Sequence, residues 1–373
     1  MDFTSQPPES GDVNAKTLAR IFDDYRNSYK FWFFLALLDC SERNFFDERI
    51  PLPIDEIVLD MLTLAWYPHV YFRLSFGVQD KIAAVLDEAA PNIAKVDSAL
   101  KPWDKDLVRE YLARFAKPEK LARYVPYRLM RPFLPDTMGL KRDQEVNSRV
   151  VEMCEKYFVS TTPPPYKIHI STKSIVLHEA WARYFRKNLA LVRGWASWHL
   201  VNYMQKCNPN VPAVPLKLFP SAERESLEKQ TSYWKHVLSV SDFRCIYSDE
   251  RISAADFALD HFIPWSFVVH NQLWNLIPTS KTVNSKKSDR LPSVLYLPTF
   301  VNAQFDALRI TRDAMAAETW RKHVDCFVAD LGLPDYDSLR EHVQFTRGYN
   351  AVVAPLIQLA ESNGFEPSWE FRR

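Results

Sequence analysis

Apolar residues recur at three- and four-residue intervals through most of the chain, a spacing that predicts helices. Ala15 to Leu38 carries Leu18, Ile21, Phe22 and Tyr25 on one face and then becomes wholly apolar from Phe31 to Leu38. Ile54–Trp66 and Val78–Ala90 follow, separated by an expected turn from Tyr67 to Phe72, and Asp104–Phe115 and Gln144–Phe158 continue the pattern. The run Ser160 to Pro165 contains three successive prolines, which stop helices and stiffen linkers. A short strand is expected at Lys167–Ile170, then one long helix over His178–Lys206, with Trp181, Tyr184, Leu189, Leu191 and Trp195 supplying much of its bulk. Asn208 to Pro215 reads as an extended connector. A helix is expected to open at Ser221, with Glu223 at capping-box-like spacing, and to carry Leu227, Tyr233, Trp234 and Leu238. Phe300–Leu331 and Tyr336–Ala360 are again helical in pattern, and neither a repeat nor a low-complexity segment is present.

Between residues 242 and 292 the period changes. Phe243–Ser248 and the following Asp-Glu-Arg-Ile suggest a β-hairpin turning at Asp249-Glu250. Phe257–Ile263 alternates as a strand that Pro264 ends, a loop follows, and a second strand is expected at Trp274–Ile277. Thr279 or Ser280 can cap a helix running through Asn284 and Lys287. The expected plan is a mainly α protein with one small β-containing insert.

Composition narrows the function classes. The 373 residues, 47% hydrophobic and 25% charged, suffice for two or three domains with full cores. Lys plus Arg (47) nearly cancels Asp plus Glu (46), which argues against a protein that coats nucleic acid non-specifically, so any such contact must come from a local groove. Only seven glycines are present and none forms a phosphate-cradling loop, which excludes P-loop and Rossmann sites. Five scattered cysteines, no pair at metal-ligand spacing, point to a reducing cytoplasm. The polar, acidic N-terminus is unlike a signal peptide. The apolar run from Phe31 to Leu38 falls short of the roughly 20 residues that a bilayer span needs, so no membrane partner is expected.

The insert gathers the candidate chemistry. If strand, loop, strand and helix fold together, Asp260 and His261 face Asn284. The Asp260 carboxylate and the Asn284 amide oxygen are hard ligands suited to Mg²⁺ (or Mn²⁺), which leaves most of its shell to water and phosphate. An imidazole titrating near neutral pH suits His261 to take a proton from the attacking water. Lys286, Lys287 and Arg290 follow closely and are candidates for holding backbone phosphates. Together these residues make a workable site for phosphodiester hydrolysis.

The residues Asp260-His261-Phe-Ile-Pro264, Trp-Asn275-Leu and Asn284-Ser-Lys-Lys-Ser-Asp resemble the HNH nucleases, or ββα-metal fold, and in spacing the HNH domain of RNA-guided CRISPR nucleases. The resemblance covers about fifty residues. It implies His261 as base, Asp260 and Asn284 as metal ligands, Asn275 as the brace of the loop carrying His261, and products with a 5′ phosphate and a 3′ hydroxyl. Many HNH proteins also hold a zinc between two CxxC pairs. Here those positions read Cys245-Ile-Tyr-Ser248 and Ser280-Lys-Thr-Val283, so no structural zinc is expected, and packing by Trp265, Phe267 and Trp274 takes its place.

The main expectation is a metal-dependent endonuclease acting on DNA, resembling bacterial or phage-linked defence and mobile-element enzymes. A catalytically idle HNH fold that binds DNA or protein, and an RNA-cleaving toxin, are the alternatives. Expected segments are a helical region at 1–160, a linker with long helices at 161–240, the nuclease domain at 241–295 and C-terminal helices at 296–373. The helical region is expected to dock a partner protein or receive a regulatory signal. His270 reads as a polar loop residue; Trp181, Trp195, Trp198 and Trp234 read as core; Arg183, Arg186, Lys187 and Arg193 read as a solvated face.

Overall fold

The computed structural model describes residues 6–372 apart from 99, 102, 118 and 221–224. The helix start expected at Ser221 and Glu223 therefore lies outside the described residues. The chain is mainly α, 61% helix against 7% strand. It divides into two compact units, Met1–Pro209 and Asn210–Arg373, the division falling inside the proline-rich connector. Among the described residues no helix is long and apolar enough to cross a membrane.

In the N-terminal unit the apolar run becomes helix α1, Tyr29–Arg43, in which every residue from Phe31 to Leu38 is buried. A helix buried on all sides needs neighbours all round; α1 packs against α2, Ile54–Trp66, and against the long helix Glu179–Cys207. The single helix expected from Ala15 to Leu38 is instead broken: Ala15–Ala19 and a 3₁₀ turn at Arg20–Phe22 precede a gap that ends at Ser28. The cause is a distant contact, since Asp80 accepts hydrogen bonds from both Ser28 N (2.8 Å) and Ser28 Oγ (2.5 Å). The same Asp80 caps α3, Lys81–Val96, by accepting from Ile82 N. Tyr67–Tyr71, expected as a turn, is a wide helical turn continuing α2. Helices α4, Lys105–Phe115, and α5, Asp143–Tyr157, follow.

The strand expected at Lys167–Ile170 is β2, Tyr166–His169, the middle of the sequence order but the edge of a small sheet. It pairs antiparallel with β3, Ser174–Leu177, which also pairs with β1, Leu52–Pro53. The long helix α6, Glu179–Cys207, starts at His178, whose Nδ1 accepts from Ala180 N, and bends where Asn188 leaves helical backbone. Trp181 and Trp195 are buried as expected, whereas Trp198 is 49% exposed. In the basic run, Arg183 pairs with Glu179 and Arg193 with Asp39 and Glu42.

In the C-terminal unit α7, Glu228–Val240, precedes the insert. The hairpin expected at Asp249-Glu250 is a tight loop joined by one bridge, Arg244 to Arg251, with Asp249 at φ 58°. Strands β4, Ala258–His261, and β5, Leu276–Thr279, pair antiparallel with Asp260 opposite Ile277 and His261 opposite Leu276. Trp274 and Asn275, expected in the second strand, form a 3₁₀ turn before it. Helix α8, Lys281–Lys287, begins where Ser280 Oγ accepts from Val283 N. The helix expected from Phe300 to Leu331 divides into α9, Leu297–Ala314, and α10, Ala317–Asp330, because Ala316 is extended. Helix α11, His342–Ser362, completes the frame.

Candidate active site

The ββα unit is held from outside by the later helices. Phe262 stacks on Phe300 of α9 with ring centroids 4.1 Å apart. Gln304, fully buried on α9, donates to the Leu276 carbonyl (2.8 Å), and Tyr349 of α11 donates to the Trp274 carbonyl (2.9 Å). Trp274 Nε1 donates to Asp330 on α10. The chain end closes the other side: Trp369 N donates to the Leu291 carbonyl, and Ser293 N to the Trp369 carbonyl. Of the three aromatics expected to stabilise the insert, Phe267 and Trp274 are buried and Trp265 is half-buried. Tyr247, Phe300 and Trp369 share that work; Phe300 and Trp369 lie beyond the insert, which hid them from a local reading. Cys245, at the first position of the vestigial ligand pair, is buried with its Sγ 3.2 Å from Thr279 Oγ1.

Asn275 is wholly buried and grips one residue: its Oδ1 accepts from Ile263 N (2.8 Å) and its Nδ2 donates to the Ile263 carbonyl (2.9 Å). Its own carbonyl accepts from Phe262 N (2.8 Å). These three bonds continue the β4–β5 ladder past His261 and fix the backbone on which that side chain stands. A buried amide with both ends satisfied is rigid, and leaving either end unpaired costs desolvation.

Asp260 is only 2% exposed and accepts from Tyr247 Oη at Oδ2 (2.8 Å) and from Lys287 Nζ at Oδ1 (3.1 Å). Lys287, with no exposed side chain, also donates to the His261 carbonyl (2.7 Å). Burial pushes the Asp260 carboxyl upward, opposed by the Lys287 charge, and pushes the Lys287 ammonium downward, opposed by Asp260. This placement corrects the expectation that Lys287 meets backbone phosphate. The last turn of α8 aims it at β4, where it neutralises a carboxylate. Asn284 stands three residues earlier on the same helix face and is half-buried. Among the described residues its side-chain amide makes no hydrogen bond.

His261 is half-buried, with Nε2 3.0 Å from Asn271 Oδ1. The Asn271 amide is oriented by its own Nδ2, which donates to the Glu225 carbonyl (3.2 Å), so its oxygen faces the imidazole. Gln230 of α7 secures the backbone by donating to the Asn271 carbonyl (2.9 Å). An amide oxygen only accepts, so this contact calls for a proton on Nε2 and makes Nδ1 the candidate basic nitrogen. Asn271 was missed in the sequence, where it is one more polar residue of a loop. His270 packs its ring on Trp274, and burial lowers its pKa.

Lys286 and Arg290, the other candidates for phosphate, lie by the chain end. Lys286 Nζ sits 5.0 Å above the Phe371 ring and donates to the Arg372 carbonyl, and the Arg290 guanidinium lies over Trp369. Lys286 is exposed and Arg290 half-buried.

The donor chemistry fits a hard divalent ion: a carboxylate and an amide oxygen, on elements that pack together. Each Asp260 oxygen accepts one of these hydrogen bonds, and a carboxylate oxygen has lone-pair capacity beyond one. Among the described residues no group of three His, Cys, Asp or Glu side chains is arranged to hold a metal.

No curated protein and no solved structure matches the chain. Residues 245–293 match the family model described as HNH endonuclease, a span that contains β4, β5, α8 and all of Asp260, His261, Asn275 and Asn284. This segment belongs to the HNH endonuclease family.

Proposed function

We propose that the chain is a metal-dependent endonuclease that hydrolyses DNA phosphodiester bonds, with His261 as the general base. The observation that carries this reading is the triply braced histidine. Asn275 fixes its backbone neighbours, Lys287 fixes its carbonyl, and Asn271 fixes its ring. A general base needs its acceptor nitrogen held in one tautomer and one direction, because a misplaced proton acceptor loses most of its effect. Nδ1 takes the proton of the attacking water, and the resulting imidazolium is stabilised through Nε2–H on Asn271.

Asp260 and Asn284 would hold Mg²⁺ or Mn²⁺, which when bound supplies Lewis-acid polarisation of the phosphate and stabilises the leaving oxygen. Lys287 keeps Asp260 ionised and oriented in a buried setting where the acid would otherwise be favoured. Lys286 and Arg290, by the chain end, are the cations placed to meet a phosphate backbone. The family resemblance suggests a role in defence or in a mobile element, and the scattered cysteines suit a reducing cytoplasm.

The substrate is tested by incubating the protein with supercoiled plasmid, linear duplex, single-stranded DNA and RNA, with Mg²⁺, with Mn²⁺ and with chelator. Metal-dependent cleavage of DNA with 5′-phosphate ends supports the proposal. Cleavage of RNA alone would replace DNA as the substrate, and DNA cleavage undiminished by chelator would remove the metal.

A further inference from the structure

Within the N-terminal unit, a cleft of about 730 Å³ opens between the Arg20–Lys30 segment and the stretch from Tyr124 to Asp143. Its volume lies in the range of roughly 300–1,000 Å³ typical of small-ligand sites. Six Arg or Lys side chains line it against three Asp, so the lining carries a formal charge of 6 − 3 = +3.

Lys30, Arg128 and Arg131 all line it. The charges of both arginines act on Lys30, against those of Asp24 and Asp23. Lys30 Nζ donates to the carbonyls of Ile21 (3.1 Å) and Asp24 (2.5 Å), and Arg131 donates to those of Thr137 (2.9 Å) and Leu140 (3.4 Å). Backbone carbonyls satisfy donors without supplying a full negative charge. Arg131 Nε is buried and has no hydrogen-bond partner among the described residues. Among the described residues, Arg128 alone of the three has a carboxylate within ion-pair distance, Asp143. Part-buried like charges repel, and an arriving dianion relieves that repulsion. The rest of the wall is apolar or aromatic: Tyr124, Val125, Pro132 and Leu140 offer a surface to a flat, uncharged group.

We infer that this cleft binds a phosphorylated small molecule with a flat apolar part, the chemistry of a nucleotide, with Lys30, Arg128 and Arg131 around the phosphate. The site lies wholly within the N-terminal unit and stands independently of the nuclease assignment. It supplies a receptor for the regulatory signal expected of the helical region.

Calorimetric titration of the full chain with the four ribonucleoside triphosphates, the matching nucleosides and a short single-stranded oligonucleotide tests this. At least one triphosphate is expected to bind, its nucleoside about tenfold or more weaker, since a charge-assisted phosphate contact is lost. Arg128→Gln is expected to weaken the triphosphate about tenfold, with Arg128→Lys recovering part of it. Nucleosides binding as tightly as triphosphates, no binding by any triphosphate, or no effect of Arg128→Gln would overturn the inference. An oligonucleotide binding more tightly than every mononucleotide would also overturn it, making the cleft a nucleic-acid contact. Should Arg128→Gln fail to fold, the comparison of triphosphate with nucleoside on the unaltered chain decides the matter.

Discussion

Asp260 and Lys287 form the pair on which the candidate site depends, and both are withdrawn from water. Removing one partner of a buried ion pair leaves an uncompensated charge, typically about 3–5 kcal/mol of destabilisation. Lys287→Met is therefore expected to lower unfolding stability by about that amount in urea titrations. The double variant Asp260→Asn/Lys287→Met is expected to lie closer to the unaltered protein than Lys287→Met alone, because no buried charge remains. Strict additivity of the two changes would contradict the pairing. Asn275→Ala strips both partners from Ile263 and is expected to cost about 2–4 kcal/mol, as two buried backbone groups lose their bonds. At this scale the sequence was partly legible. The order Asp260, His261, Asn275, Asn284 is visible in the chain because it is local. That Lys287 turns inward while Lys286 stays exposed depends on how α8 is rotated against β4, which a run of two lysines does not disclose.

Elements follow the same division. The existence of helix α1 and of strands β4 and β5 was readable from period and punctuation, although β5 begins two residues later than expected. The break before Ser28 was not, because it is made by Asp80, fifty-two residues away. The short helix Val214–Leu218 shows another non-local effect. It buries Lys217 completely, with Nζ donating to the Phe267 carbonyl (2.6 Å) in the loop between β4 and β5. Burial lowers its pKa from 10.5 to about 7. Between those values the unfolded chain holds a proton that the folded chain has released. Stability from this group therefore rises with pH from about 7 towards 10.5 and is unchanged by it below 7. The slope approaches about 1.4 kcal/mol per pH unit for one proton. Denaturant titrations between pH 7 and 9.5 are expected to show this rise in the unaltered protein and its loss in Lys217→Met. An equal slope in both would contradict the assignment.

For the whole molecule, the nuclease segment borrows its framework. Phe300, Gln304, Tyr349 and Trp369 all lie outside the segment expected at 241–295, yet the first three hold β5 and the loop between β4 and β5, and Trp369 holds the segment's end at Leu291 and Ser293. A unit of this size, with no CxxC pair and with part of its apolar surface covered by later helices, has only a marginal core of its own. A fragment of residues 241–295 is accordingly expected to be unfolded by circular dichroism, and one of residues 210–373 to unfold cooperatively. A cooperatively folded 241–295 fragment would contradict this dependence.

In the proposed mechanism His261, held by Asn271 at Nε2, is the base that activates water. The most direct test is the initial rate of supercoiled-plasmid nicking in Mg²⁺ by the unaltered protein and by His261→Ala, with circular dichroism confirming that both are folded. A fall of about 10²–10⁴-fold is predicted, the usual contribution of general-base catalysis. A folded His261→Ala protein that nicks at the unaltered rate would contradict it.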